Sequence, residues 1–310
     1  MKLISIPILV TTALCSIFAF TSIQAYNSPV ELGLELDISN SYRRDCQSSS
    51  ITCRGIFGDT IGKETIKTEN LTYYQVGVIG RWDIRQWLFR FDADYAWSTD
   101  GDYHDHNKLD YFTYKTRAKV NKGTAQDLTL GAGYFFCLPQ LIGLDIAPVG
   151  GWSYHQQEYR IHHASTNGIS NPYFDGIDHT NRWEGPWVGL DTQFCFEPFS
   201  VYAGYEYHWG TWHAKWKLSG PDVQPPHLSD ERKSKHAIGQ VIYLDGRWEF
   251  WCNYMLGLGV KYQHWHASHG SEKPLAKLFQ PLIYPNLRKK KVKEVTWSSL
   301  VVSIDIGYSF

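Results

Sequence analysis

The chain ends in the segment Val301-Val302-Ser303-Ile304-Asp305-Ile306-Gly307-Tyr308-Ser309-Phe310. Leu300, Val302, Ile304, Ile306, Tyr308 and Phe310 share one face, and Ser299, Val301, Ser303, Asp305, Gly307 and Ser309 share the other. A period of two is the signature of a β-strand, whose successive side chains point to opposite sides. The same period recurs in Leu32/Leu34/Leu36/Ile38, in Phe89/Phe91/Ala93/Tyr95/Trp97, in Val188/Leu190/Thr192/Phe194/Phe196 and in Tyr254/Leu256/Leu258/Val260/Tyr262. The 20 Tyr, 15 Phe, 13 Trp and 26 Gly set against 2 Met, with a mean hydropathy of −0.35, favour strands over helices. A formal net charge of −1 argues against a nucleic-acid binder or a bulk polyanion carrier.

The faces opposite these apolar stripes carry Glu35, Asp37, Arg90, Asp92, Asp94, Asp191, Glu206, Lys261 and Asp305. A sandwich would turn the apolar face inward; a membrane barrel turns it to lipid and keeps the charges inside. Ten strands are expected, near 31–39, 68–82, 86–98, 124–137, 142–161, 185–196, 200–217, 234–244, 250–266 and 294–310. Long polar links fall at 40–67, 99–123, 162–184, 218–233 and 267–293, alternating with tight turns at 83–85, 138–141, 197–199 and 245–249. This layout, with its aromatic C-terminal residue, resembles bacterial outer-membrane β-barrels: an all-β antiparallel transmembrane barrel with long outer loops and short periplasmic turns. Residues 1–25, with Lys2 before the apolar run Leu3 to Phe20 and Ala25 at the cut, read as a signal peptide, leaving 26–310 as the barrel. Around ten strands enclose a packed charge network rather than a wide pore.

Within this class the sequence resembles the omptins, outer-membrane endopeptidases. Trp82-Asp83-Ile84 and Pro186-Trp187-Val188-Gly189-Leu190 match their turn and strand motifs, and Asp100-Gly101-Asp102-Tyr103-His104-Asp105 fits their second-loop acidic run. The resemblance implies a water held between an Asp pair, here Asp100 and Asp102, and an Asp-His pair across the barrel mouth, with the imidazole as base. The seventh strand and fourth outer loop, where the resemblance implies that pair, read His208 to His227 with no Asp-x-His. Asp222 and His227 are five apart, and His208 and His213 have no adjacent carboxylate partner. The expectation is therefore a non-proteolytic surface or envelope protein, acting in adhesion or narrow porin-like passage; the alternative is an omptin-type aspartyl endopeptidase completed by Asp222 and His227.

Asp102, His104, Asp105 and His106 invite a metal reading, but no fixed ligand spacing supports one, and no cofactor is expected. Cys46 and Cys53 share the first outer loop and are expected to bridge. Cys137, Cys195 and Cys252 fall at periplasmic turns, and an odd total predicts thiols able to cross-link an envelope partner. In size, export signal and aromatic barrel the chain also resembles the porin-like outer-membrane proteins of environmental chlamydiae. Arg288, Lys289, Lys290, Lys291 and Lys293 form a basic run in the last outer loop, expected to meet outer-leaflet lipopolysaccharide or a host surface ligand through charge.

Overall fold

The computed structural model describes residues 32–55, 59–109, 112–137, 144–171, 175–218, 228–273 and 287–310. The expected signal peptide and the turn at 138–141 lie outside these residues. Among them are ten strands of 20–25 residues: β1 (Leu32–Gly55), β2 (Thr60–Ile84), β3 (Trp87–Leu109), β4 (Phe112–Tyr134), β5 (Leu144–Thr166), β6 (Ile177–Phe196), β7 (Phe199–Leu218), β8 (Leu228–Trp251), β9 (Tyr254–Lys273) and β10 (Leu287–Ser309). Two-residue strands at Phe136–Cys137 and Ile169–Ser170 add to β5. Every long strand pairs antiparallel with both neighbours. β10 closes on β1 from Glu35↔Ser309 to Gly55↔Leu287, and β4 closes on β5. Closure removes the exposed edges that would otherwise template association. The terminal residue seals the seam, where the Phe310 amide donates to the Leu34 carbonyl at 2.8 Å.

The strands are far longer than their apolar stripes suggest. Strand runs deep into what reads as long loops: among the described residues it covers 40–55, 60–67, 99–109, 112–123, 162–166, 177–184, 228–233, 267–273 and 287–293, so the β-cylinder continues well above the girdle. The turn expected at 245–249 is also corrected. Asp245 and Arg247 face inward and pair at 2.6 Å, Trp248 and Phe250 face out, and the turn falls at Cys252-Asn253, both with positive φ. Asp245-Gly246 looks like a turn, yet the alternation runs through it.

The interior has two tiers. In the lower tier the outward face is an apolar girdle, with Leu130, Leu190, Leu258 and Ile304 exposed, while the inward face is charged and paired. Arg247 meets Glu35 at 2.8 Å and Asp37 at 2.9 Å; Lys261 meets Asp92 at 2.6 Å; Arg43 meets Asp45 at 2.9 Å and Asp127 at 2.8 Å. In the upper tier the arrangement inverts. Ile51, Ile66, Tyr103, Val120, Ile161 and Val292 fill the centre, and polar side chains cover the outside. On β2, β3 and β4 the inversion coincides with adjoining β-bulges at Asn70, at Thr99–Asp100 and at Lys122, with φ of 55° at Asn70 and 52° at Lys122. One extra residue on a strand turns every later side chain to the other face.

Candidate functional site

Ser98 to Asn107 lies wholly on β3, so the acidic stretch is not a loop. Asp92, Asp94, Ala96 and Ser98 face the bore. Asp100 and Asp102 share their parity and would continue that row, but the bulge turns them out. Gly101, Tyr103, Asp105 and Asn107 take the interior instead. Lys119 on β4 holds Asp102 at 2.8 Å and lies 4.0 Å from Asp100. With that cation beside it, first by hydrogen bond, the Asp102 carboxyl is held below the usual range. The two aspartates therefore sit on the outer wall, with the cylinder between them and any group in its bore.

The other half of the expected dyad takes an unexpected form. His208 does have a carboxylate partner, which corrects the expectation: Glu206, two residues away on β7 and on the same face, lies 2.8 Å from its Nε2. Ser153 Oγ lies 2.9 Å from its Nδ1. Glu206-Tyr207-His208 has the spacing of an Asp-x-His pair, with one more methylene on the carboxylate. Glu206 is also gripped by Arg90, and His208 is fully buried with its ring 4.9 Å from that of Trp265. His213 is half-buried on the outward face of β7. Asp222 and His227 lie outside the described residues.

Two layers close the bore around this cluster. Above it, Trp183, Trp212, Trp265 and Trp297 are each at most 1 % exposed, with ring centroids 5.7–6.4 Å apart from Trp183 to Trp265 and from Trp265 to Trp297. Below it, the Tyr202 ring packs with the guanidinium groups of Arg81 at 5.0 Å and Arg247 at 4.5 Å. Between the layers is a cavity of about 150 Å³ lined by Ser41, Gln75, Asp94, Arg90, Lys261 and Gln263, among others.

Cys46 and Cys53 do not bridge: both thiols are free, Cys46 faces out and Cys53 is buried inside. Seven residues of extended β1 separate them by about 23 Å, far beyond the roughly 7 Å between Cα atoms that a disulfide spans. Burial pushes the Cys53 thiol up to about 11. Cys195 and Cys252 are free and exposed at the short-turn rim; Cys137 is on the short strand at the same rim, and its side chain is outside the described residues. The basic run is on β10, not in a loop. Lys291 and Lys293 face out, but Lys290 turns in to meet Glu64 at 2.8 Å. The side chains of Arg288 and Lys289 are outside the described residues. Burial alone would raise the Glu64 carboxyl, yet Lys290 and Arg232 outweigh it and hold it below the usual range. Among the described residues no three His, Cys, Asp or Glu side chains are arranged to hold a metal ion.

A closed antiparallel ring with an apolar girdle outside and paired charges inside defines an integral barrel of the bacterial outer membrane. The chain belongs to the Pom family, described as Protochlamydia outer membrane protein, whose profile matches residues 37–310. Among solved structures it is similar to the outer membrane protease OmpT of Escherichia coli, with 13% identity, a TM-score of 0.65, and 90% of this chain and 97% of that chain covered. It also matches the outer membrane protein OprG of Pseudomonas aeruginosa (13% identity, TM-score 0.34, coverage 90% and 96%) and the Neisserial surface protein NspA (10% identity, TM-score 0.30, coverage 91% and 100%). At such identity the OmpT match supports the omptin-like fold alone. No curated protein matches the sequence.

Proposed function

We propose that this protein is a closed barrel that works at the cell surface and envelope, as an adhesive or structural element, and not as a diffusion pore or a protease. The observation that carries this reading is the filled bore: a block of four tryptophans, capped by the apolar core of the upper tier. Passage of even a small solute requires both the tryptophan block and the Tyr202 layer to move. Against proteolysis, Asp100 and Asp102 face away from the bore that holds His208.

Its partners are then the outer leaflet and other envelope proteins. An outward groove is lined by Trp152, Trp209 and Ile238 together with Lys235, His236, His266 and Glu184, a mix of apolar and largely basic side chains suited to the boundary between acyl chains and the phosphates of lipopolysaccharide. The test is planar-bilayer recording of refolded protein, with dibasic-peptide cleavage assayed in parallel. The expected result is a quiet membrane and uncut peptide. Stable ohmic steps, or cleavage abolished by Asp100→Ala, would overturn the reading.

A further inference from the structure

We propose that the outer wall formed by β10, β1, β2, β3 and β4 in the upper tier is a docking surface for a linear polyanionic glycan, which gives the surface reading above a partner class. The formal net charge of −1 conceals how charge is sorted across this wall. On β2 and β3, Glu64 and Asp105 are buried on the inward side, where Lys290 takes Glu64. The cations of these strands and of β4 are outside: Lys63 and Lys67 on β2, Lys108 on β3, and Lys115 and Arg117 on β4 are all exposed.

Strand register sets these groups in rows. One row runs Lys291, Thr52, Lys63, Lys108 across four strands. The next carries His106 beside Lys115, and the one below it Lys67, His104 and Arg117. Rows lie about 7 Å apart and strands about 4.8 Å apart, so the cations form a flat grid with no pocket. Three nearby acids are paired: Glu69 lies 3.7 Å from Lys67, which it partly neutralises, Asp102 is held by Lys119, and Glu294 lies 3.3 Å from His266. Among the described residues the free cations of the grid are therefore Lys63, Lys108, Lys115, Arg117 and Lys291. A flat cationic grid matches a chain that presents anionic groups repeatedly along its length, and binds it by charge rather than by shape.

Height selects the glycan over lipid phosphate. Lys67 is seven residues beyond Tyr74 of the lipid-facing wall, and His104 seven beyond Trp97. Seven strand residues rise about 23 Å along the strand, or roughly 18 Å vertically at barrel tilt, and Lys63 and Lys108 stand higher still. That is above the headgroup phosphates and among the saccharides outside the cell.

The experiment uses the full protein in zwitterionic nanodiscs, with a size-defined heparin fragment as probe and neutral dextran and polyglutamate as comparators. Heparin should bind and be released by salt, because exposed charges are screened. The variant Lys63→Gln/Lys108→Gln/Lys115→Gln/Arg117→Gln should weaken binding about tenfold or more while keeping its heat-modifiable fold. Lys215→Gln/Lys217→Gln, on the outer wall of β7, should stay within about twofold of the parent. Absence of heparin binding, equal binding by the four-site variant, equal loss in the β7 variant, or polyglutamate binding as well as heparin each overturns the proposal. Conductance reads the closed-barrel reading separately, so either can fail alone.

Discussion

Lys119 Nζ lies 2.8 Å from Asp102 Oδ1 on the outside of the cylinder, whereas Asp94, of the same parity and earlier on the same strand, meets Lys261 inside at 3.5 Å. The bulge at Thr99–Asp100 is all that separates the two environments. Inserting an Ala after Gly101 adds a residue that the existing bulge does not absorb, which should turn Asp102 inward and force Tyr103 and Asp105 outward. The expected outcome is loss of the heat-modifiable folded band on gels. Asp100→Ala/Asp102→Ala should leave that band unchanged. Folding of the insertion variant with a normal band would show that the phase of the upper tier is not fixed at the bulge.

Leu258 is 63% exposed in the middle of the apolar girdle. Leu258→Arg should destabilise the barrel by about 2–4 kcal/mol, the cost of a cation near the bilayer midplane. Ser271→Arg, outward on the same strand but in the upper tier, should change little. Denaturant unfolding in vesicles measures both; equal effects would mean that the girdle does not face lipid.

Thiol chemistry separates the four described cysteines. Cys46, Cys195 and Cys252 should alkylate in the folded protein, and Cys53, buried with its thiol pushed up, only after unfolding. We propose that the rim thiols Cys195 and Cys252 link envelope partners, which non-reducing gels of intact envelopes should show as higher-mass species that collapse with reductant. A ladder that survives Cys195→Ser/Cys252→Ser would assign the links elsewhere.

Burial, with Glu64 next in weight, pushes the Asp105 carboxyl in the upper tier up to about 8. Its folded value exceeds the unfolded one, so its contribution to stability is fully present below about pH 4 and is lost as pH rises through about 8. Asp105→Asn should therefore match the parent at low pH and exceed it in thermal stability at pH 9. Parallel stability profiles across that range would exclude the effect.

The lower tier was legible because lipid demands one chemistry on every second residue, and Leu256, Leu258 and Val260 meet that demand without exception. The upper tier was not. Its outward residues, such as Lys63, Thr65 and Lys67, alternate with Glu64, Ile66 and Thr68, a pattern too mixed to show a period, and strand continuing past a bulge looks like strand ending. The Glu206–His208 pair has the right spacing but carries Glu where the omptin resemblance asks for Asp. That Cys46 and Cys53 cannot meet follows from the length of β1, which their nearness in sequence conceals.

The bulges on β2, β3 and β4 mark where this chain changes solvents. Below them the wall is inside-out, oil-facing and salt-centred; above them it is an ordinary water-soluble globule that happens to be wound as a tube. The two storeys therefore answer to different evolutionary constraints. Lower positions can exchange only among greasy residues outside and matched ions inside, while the upper storey can be recut by the rules of soluble proteins, turning its painted exterior over freely as long as the greasy heart stays filled. A surface protein built this way can alter the face it shows the world without renegotiating its hold on the membrane.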